Sequence, residues 1–210
     1  MRDSRFVLGY HGCDRELAEK IVLGRQEVAI SENEYDWLGK GAYFWENDPR
    51  RALEWAQWIA RHPQHAKHKI VQPTVVGAIL DKGNCLDLTD SESLRLVKET
   101  YEVFRMVREY TAGEGLPNNK PGFSGDEDLV KRYLDCAMIN FLHELKDHSV
   151  DKNAIPFDSV RGIFVEGGEL YPGAKIMSRT HIQICIRRPE ASVVAYFLPR
   201  PFETALDRIL

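Results

Sequence analysis

Apolar and polar positions along this chain change period several times, and each change marks an element. Residues 6–11 alternate, with Phe6, Leu8 and Tyr10 on one face and Val7, Gly9 and His11 on the other, the two-residue period of a strand. The period then lengthens. Asp14 is placed to cap a helix whose buried stripe is Leu17, Ala18, Ile21 and Val22, and Gly24 ends it. Residues 25–38 carry charge and Asn without a period and read as loop. Residues 42–45 form the next strand. Asn47-Asp48-Pro49 opens a second helix: a capping side chain, then a proline in the first turn, where its missing N–H costs little. Leu53, Ala56 and Ile59 or Ala60 make the inner stripe, Trp55 and Trp58 widen it, and Pro63 limits the helix. Further strands are expected over residues 71–80 and 85–88.

Two long helices come next. Ser91 caps the first, which carries Leu94, Val97, Tyr101, Phe104 and Val107 at three- and four-residue steps. Residues 112–125 hold four glycines and two prolines and form a loop. Residues 126–147 make the second helix, with Leu129, Tyr133, Leu134, Ala137, Met138, Phe141 and Leu145 facing inward. Together they read as a helical insertion over about residues 90–150, packed on one side of a sheet. After Pro156 strands return, over 161–166, 180–187 and 192–198, and the last two are expected to form a hairpin across Pro189. Residues 167–179 are a loop of the kind that covers a site, and residues 199–210 are weakly amphipathic. No repeat or low-complexity run interrupts the pattern. The expected fold is one α+β domain over residues 1–210.

Composition narrows the functional classes. A hydrophobic fraction of 43% supports a real core, and a net charge of -4 with pI about 6.0 does not suit wholesale binding to nucleic acid or membrane. The first residues lack an apolar signal core, and no run is long enough to span a bilayer. Cys13, Cys85, Cys136 and Cys185 are widely spaced and match no zinc pattern, so they are expected as reduced core residues of a cytoplasmic protein. His62, His65 and His68 recur every three residues, but Pro63 breaks the helical geometry and no Cys or carboxylate joins them. They read as a solvated basic turn, and no metal is expected. Arg61, His62, Lys67, His68 and Lys69 form a local cluster able to steer phosphate.

The candidate chemistry lies in Tyr10-His11-Gly12, in Gly39-Lys40-Gly41-Ala42-Tyr43-Phe44-Trp45, and in His181-Ile182-Gln183-Ile184-Cys185-Ile186. A glycine turn leading into consecutive aromatics suits a flat ligand held by stacking. Each residue also has a structural reading. A strand His is commonly a satisfied structural group, Tyr43-Phe44-Trp45 can be core, and Gln183 can face solvent. Tyr35, Trp37 and Lys40 either line the site or pack the loop before the turn.

A His on the first strand, a Tyr after a glycine turn on the next, and a polar residue on a late strand occur in the order used by ADP-ribosyltransferases. Over residues 6–60 and 160–198 the chain resembles that superfamily, in its diphtheria-toxin and poly(ADP-ribose) polymerase branch. It also resembles small bacterial proteins assigned there, some of whose relatives act as toxins of toxin–antitoxin or phage-defence systems.

The resemblance implies split β-sheets and NAD as co-substrate. It implies a mono-ADP-ribosyltransferase that cleaves NAD and modifies an intracellular protein or nucleic acid, with an antitoxin as a further partner. The Gly12 backbone would bond the nicotinamide amide, Tyr43 would stack on the nicotinamide, and His11 would bond a ribose hydroxyl. Gln183 stands where the family usually has Glu. An amide can bond a ribose hydroxyl but carries no charge, which argues against polymer synthesis. It leaves open single transfer, or a catalytically weak NAD- or nucleotide-binding module. Glu166 and Glu169 are candidates to supply the missing charge.

Overall fold

Strand β1 (Phe6–Asp14) is longer than its alternating pattern suggests, because β3 (Pro73–Asp81) pairs antiparallel with it along its whole length, from Phe6–Asp81 to Asp14–Pro73. The computed structural model describes residues 5–65, 68–111, 115–122, 128–151 and 154–200. The chain is a mixed α+β protein that divides into two compact units: Met1–Val28, Phe44–Asp81 and Val193–Leu210 in the first, Ala29–Tyr43 and Lys82–Ser192 in the second. β2 (Ala42–Glu46) begins in the second and ends in the first.

In the first unit, β1 carries two helices against its ladder. Asp14 caps α1 (Arg15–Val22), its carboxylate accepting from the Glu16 N–H, and also from the Val71 and Gln72 N–H groups at 2.8 and 2.9 Å. These bonds, the one from Gln72 foremost, hold the Asp14 carboxyl below the usual range. Asp48 caps α2 (Pro49–Arg61) by accepting from the Arg51 N–H. Ala52, Ala56 and Ile59 of α2 are buried, and Trp45, Ala52 and Val75 form a core with Tyr10, Leu53 and Trp55 around it. A 3₁₀ turn (Pro63–His65) follows α2.

The second unit holds β4 (Cys85–Asp87), β5 (Ser159–Phe164) and β6 (His181–Ile186). β4 runs parallel and β6 antiparallel to β5. Helices α3 (Ser91–Thr111) and α4 (Tyr133–Asp147) supply Phe104, Met138, Ile139 and Leu142 to a core shared with Leu38, Leu86, Val160 and Cys185.

Several expectations are corrected here. The cap of α3 is Asp90, whose carboxylate accepts from the Ser93 N–H at 2.9 Å, while Ser91 is the first helical residue. The inner stripe of α3 is Leu96, Val97, Tyr101 and Phe104, with Leu94 and Val107 exposed.

The second helix starts at Tyr133 rather than residue 126. Lys131 instead pairs with Lys120 in a β-bridge, and the Asn119 side chain accepts from the Leu134 N–H, which supplies the cap. Leu129 consequently lies outside the helix and is exposed; Leu145, on α4, is exposed too, and the buried residues of α4 are Cys136, Met138, Ile139, Leu142 and His143.

The hairpin across Pro189 does not form. Residues Pro189–Ser192 close into a helical turn, α5, and β7 (Val193–Phe197) pairs antiparallel with β3. Residues 112–114 and 123–125 of the expected loop, 126–127 of the expected second helix, Lys67 of the expected basic cluster and 201–210, most of the amphipathic tail, lie outside the described residues.

Candidate functional site

The sequence-derived site residues fall in both units. His11 and Gly12 lie on β1 in the first; Tyr43 and Gln183, on β2 and β6, belong to the second.

On β1 the Leu8 carbonyl accepts from the Asn47 N–H at 2.9 Å. Backbone groups of a strand alternate sides, so the even-numbered residues of β1 point their N–H and C=O toward β2. The Arg15 N–H, donating to the Gln72 carbonyl, fits the opposite side. Pairing between β1 and β2 covers Gly9–Glu46 and Tyr10–Trp45. Gly12 is the next even-numbered residue, so its N–H and C=O face the β2 side, beyond those pairs.

Its Cα faces α2. A Cβ there would stand 2.1 Å from the Ala52 carbonyl oxygen and 3.1 Å from the Ala56 Cβ, so only glycine lets β1 and α2 meet this closely. His11 is half-buried, its ring centroid 6.0 Å from that of Phe44 and 6.4 Å from that of Trp55. A cavity of about 400 Å³ in the same unit is lined by Arg15, Glu19, Gln72, Thr74 and Arg200 among others; neither His11 nor Gly12 lines it.

In the second unit the Trp37 indole N–H donates to Gln183 Oε1 at 2.6 Å. An indole N–H only donates, so the amide must present its oxygen. The indole lies over Gly162, the residue paired with Gln183, where a Cβ would come 2.6 Å from the ring. Tyr43 fixes the next residues: its hydroxyl donates to the Gly39 carbonyl at 2.8 Å and accepts from the Leu38 N–H at 3.0 Å. Burial pushes its phenol well above the usual tyrosine range. The ring itself is half-buried and packs against the core. Asn140 on α4 accepts from the Lys40 N–H at 3.0 Å beside Gly39, whose φ of 81° needs a glycine. Residues 37–40 are thus held by Gln183, Tyr43 and Asn140.

Further along the same face of β5 and β6, Phe164 pairs with His181, and their ring centroids are 5.6 Å apart. The Trp37 ring lies 5.3 Å from Phe164, and the Arg132 guanidinium sits 5.0 Å over it. His181 Nδ1 donates to the Arg179 carbonyl at 2.7 Å, with Glu166 Oε1 3.8 Å away, and both side chains are buried. Glu169 is exposed and accepts from the Gly173 N–H at 2.8 Å.

Sequence reading left Trp37 open between lining the site and packing, and missed Asn140 and Phe164. The signal for Asn140 was a polar residue next to Ile139 on the apolar stripe of a helix. Phe164 carried no signal beyond strand composition. Among the described residues, no group of three or more His, Cys, Asp or Glu is arranged to hold a metal ion, and no helix is long and apolar enough to cross a membrane.

No family model matches the chain. The chain is similar to an uncharacterised protein of Methanocaldococcus jannaschii, 26% identical over 215 residues, which cover 96% of this chain and 90% of that protein. At that coverage the similarity extends through α3 and α4.

Proposed function

We propose that this chain binds NAD, breaks its nicotinamide–ribose bond and passes ADP-ribose to an intracellular macromolecule, as a mono-ADP-ribosyltransferase with a toxin role. The observation that carries the reading is the placement of Gly12. By the alternation set by Leu8, its N–H and C=O face the β2 side of β1, beyond the Tyr10–Trp45 pair. One donor and one acceptor on one residue complement a carboxamide, which needs both. Tyr43 adds support: a hydroxyl anchored on both sides fixes the ring before any ligand arrives, which lowers the cost of ordering it. Labelled NAD incubated with the folded protein and a cell lysate tests the reading. The expected result is nicotinamide release with label on a macromolecule; neither, from folded protein, would sink it.

A second reading, an NAD- or nucleotide-binding module with little catalysis, is favoured by one contact. Gln183 Oε1 accepts from Trp37, so the group turned away from the indole is the amide NH2, a donor. A donor does not offset the positive charge that develops on ribose as a glycosidic bond breaks. Calorimetric NAD binding without nicotinamide release is the result expected of this module, and release would exclude it.

A further inference from the structure

The chain carries 32 Asp and Glu, yet none falls between Glu54 and Asp81. That acid-free run holds Arg61, Lys67, Lys69, His62, His65 and His68. It begins inside α2, continues through the 3₁₀ turn and reaches β3, all within the first unit. Net charge over the whole chain is -4, so this run is positive in sequence against an acidic background; the Asp14 carboxylate meets its far end at the Val71 and Gln72 N–H groups, which leaves the α2 end as its basic part.

The end of α2 also gathers rings. The His62 ring stacks on Trp58 with centroids 4.6 Å apart and planes at 24°. His65 lies 5.4 Å from Trp58, tilted by 31°, and 6.5 Å from His62. His62 Nδ1 donates to the Trp58 carbonyl at 2.8 Å, which fixes that ring. His65, Arg61, His68 and Lys69 are exposed, and His62 and Trp58 are half-buried. Arg61 gives its Nε–H to the Gln57 carbonyl at 3.2 Å, which orients the guanidinium at the end of the helix.

Ordered rings beside exposed cations are what a flexible, unpaired nucleic-acid strand requires. Bases stack on aromatic or imidazole faces, and phosphates meet guanidinium and ammonium groups. An acidic protein segment would use the cations but not the rings. A duplex hides its base faces.

We propose that the surface formed by Trp58, His62, His65 and Arg61 docks single-stranded nucleic acid, with exposed Lys69 a further cation on the same stretch of chain. The inference names the class of acceptor for the transfer proposed above and rests on that reading only in that respect.

The test is fluorescence anisotropy with a short labelled single-stranded oligonucleotide, DNA and RNA in separate arms, without NAD. Binding is expected at low salt and should weaken steeply as salt rises. The doubly reversed variant Arg61→Glu, Lys69→Glu should lose binding. His65→Ala, at an exposed turn position, should weaken it about fivefold or more. Circular dichroism establishes that each variant is folded. Absence of binding at low salt, or binding untouched by these variants, overturns the proposal. So does label from NAD that reaches only proteins of a lysate and is lost in the reversed variant. Nicotinamide release is measured separately, so failure of oligonucleotide binding and failure of NAD cleavage are read independently.

Discussion

The indole nitrogen of Trp37 and the side-chain oxygen of Gln183 are 2.6 Å apart across 146 residues of chain. Gln183 is therefore both the candidate for the late-strand position and a clasp on the segment before β2. Gln183→Leu removes the acceptor and leaves a half-buried N–H without it, a cost of about 1–3 kcal/mol. Gln183→Glu keeps an acceptor, now charged, and should keep the indole bond. If charge is what the proposed reaction lacks, Gln183→Glu should raise nicotinamide release while denaturant midpoints stay near the parent value. A flat or lower rate with an intact fold would mean that the amide is suited to its role as it stands.

Tyr43 allows its ring and its hydroxyl to be separated. Tyr43→Phe deletes the bonds to Leu38 and Gly39, and should destabilise by about 1–2 kcal/mol. Hydrogen exchange at the Leu38 amide should accelerate in that variant. Under the proposed function NAD binding should survive, because the ring proposed to stack on the nicotinamide remains. Tyr43→Ala also removes the ring and should weaken NAD binding by about 0.5–1.5 kcal/mol in stacking alone. Equal NAD affinity in folded Tyr43→Ala and Tyr43→Phe proteins would contradict a nicotinamide-facing ring.

His143 sets an acid limit on the second unit. It is 3% exposed on α4, its ring 6.2 Å from Phe157, and neither ring nitrogen has a hydrogen-bond partner among the described residues. Burial, and after it the charge of Arg187, pushes the imidazole from 6.5 down to about 4; Asp147 acts in the opposite sense. The folded value lies below the unfolded one, so the neutral ring is the folded form. Stability is full above pH 6.5 and is lost as pH falls from there toward 4, by about 3 kcal/mol in all. Asp147, lowered by its bond from Arg187, acts further down, below its ordinary 3.8. Denaturation midpoints for His143→Leu should be flat from pH 6.5 to 4. A slope equal to that of the parent would assign the loss elsewhere.

The cysteines should be silent in the folded protein. All four are free. Burial pushes Cys13 up to about 12 and Cys136 up to about 11, raises Cys185 higher still, and raises half-buried Cys85 as well. Near pH 8 few are thiolates, and the thiolate is the reactive form. Alkylation should proceed slowly in buffer and quickly in denaturant. Fast native labelling at Cys185 would mean that the core around it opens.

The parts of the fold legible in the sequence were those written in local chemistry. Asp14 and Asp48 cap the helices they were expected to cap, and the strand at residues 42–45 is present with one residue more. What was not legible depends on distant partners. Nothing near Val193 says that it will pair with β3, and the alternating pattern there fits either neighbour equally well. The start of α4 was misplaced because residues 128–132 carry helix-compatible side chains, while the Lys120–Lys131 bridge that excludes a helix is supplied from a loop. At the candidate site, residue types pointed to Tyr43 and Gln183 as groups that could meet a ligand. That both also secure residues 37–39 is a fact of three-dimensional neighbours, with no local signature.

The close approach of the Ala52 carbonyl to Gly12 limits how the proposed chemistry can be interrogated. Even a methyl group at that glycine would act as a wedge, prising the helix from its strand before any question of substrate arose. An inactive Gly12→Ala variant would thus report a displaced scaffold. The informative probe is a backbone edit, an amide exchanged for an ester by semisynthesis, which withdraws one proton and leaves every contour in place.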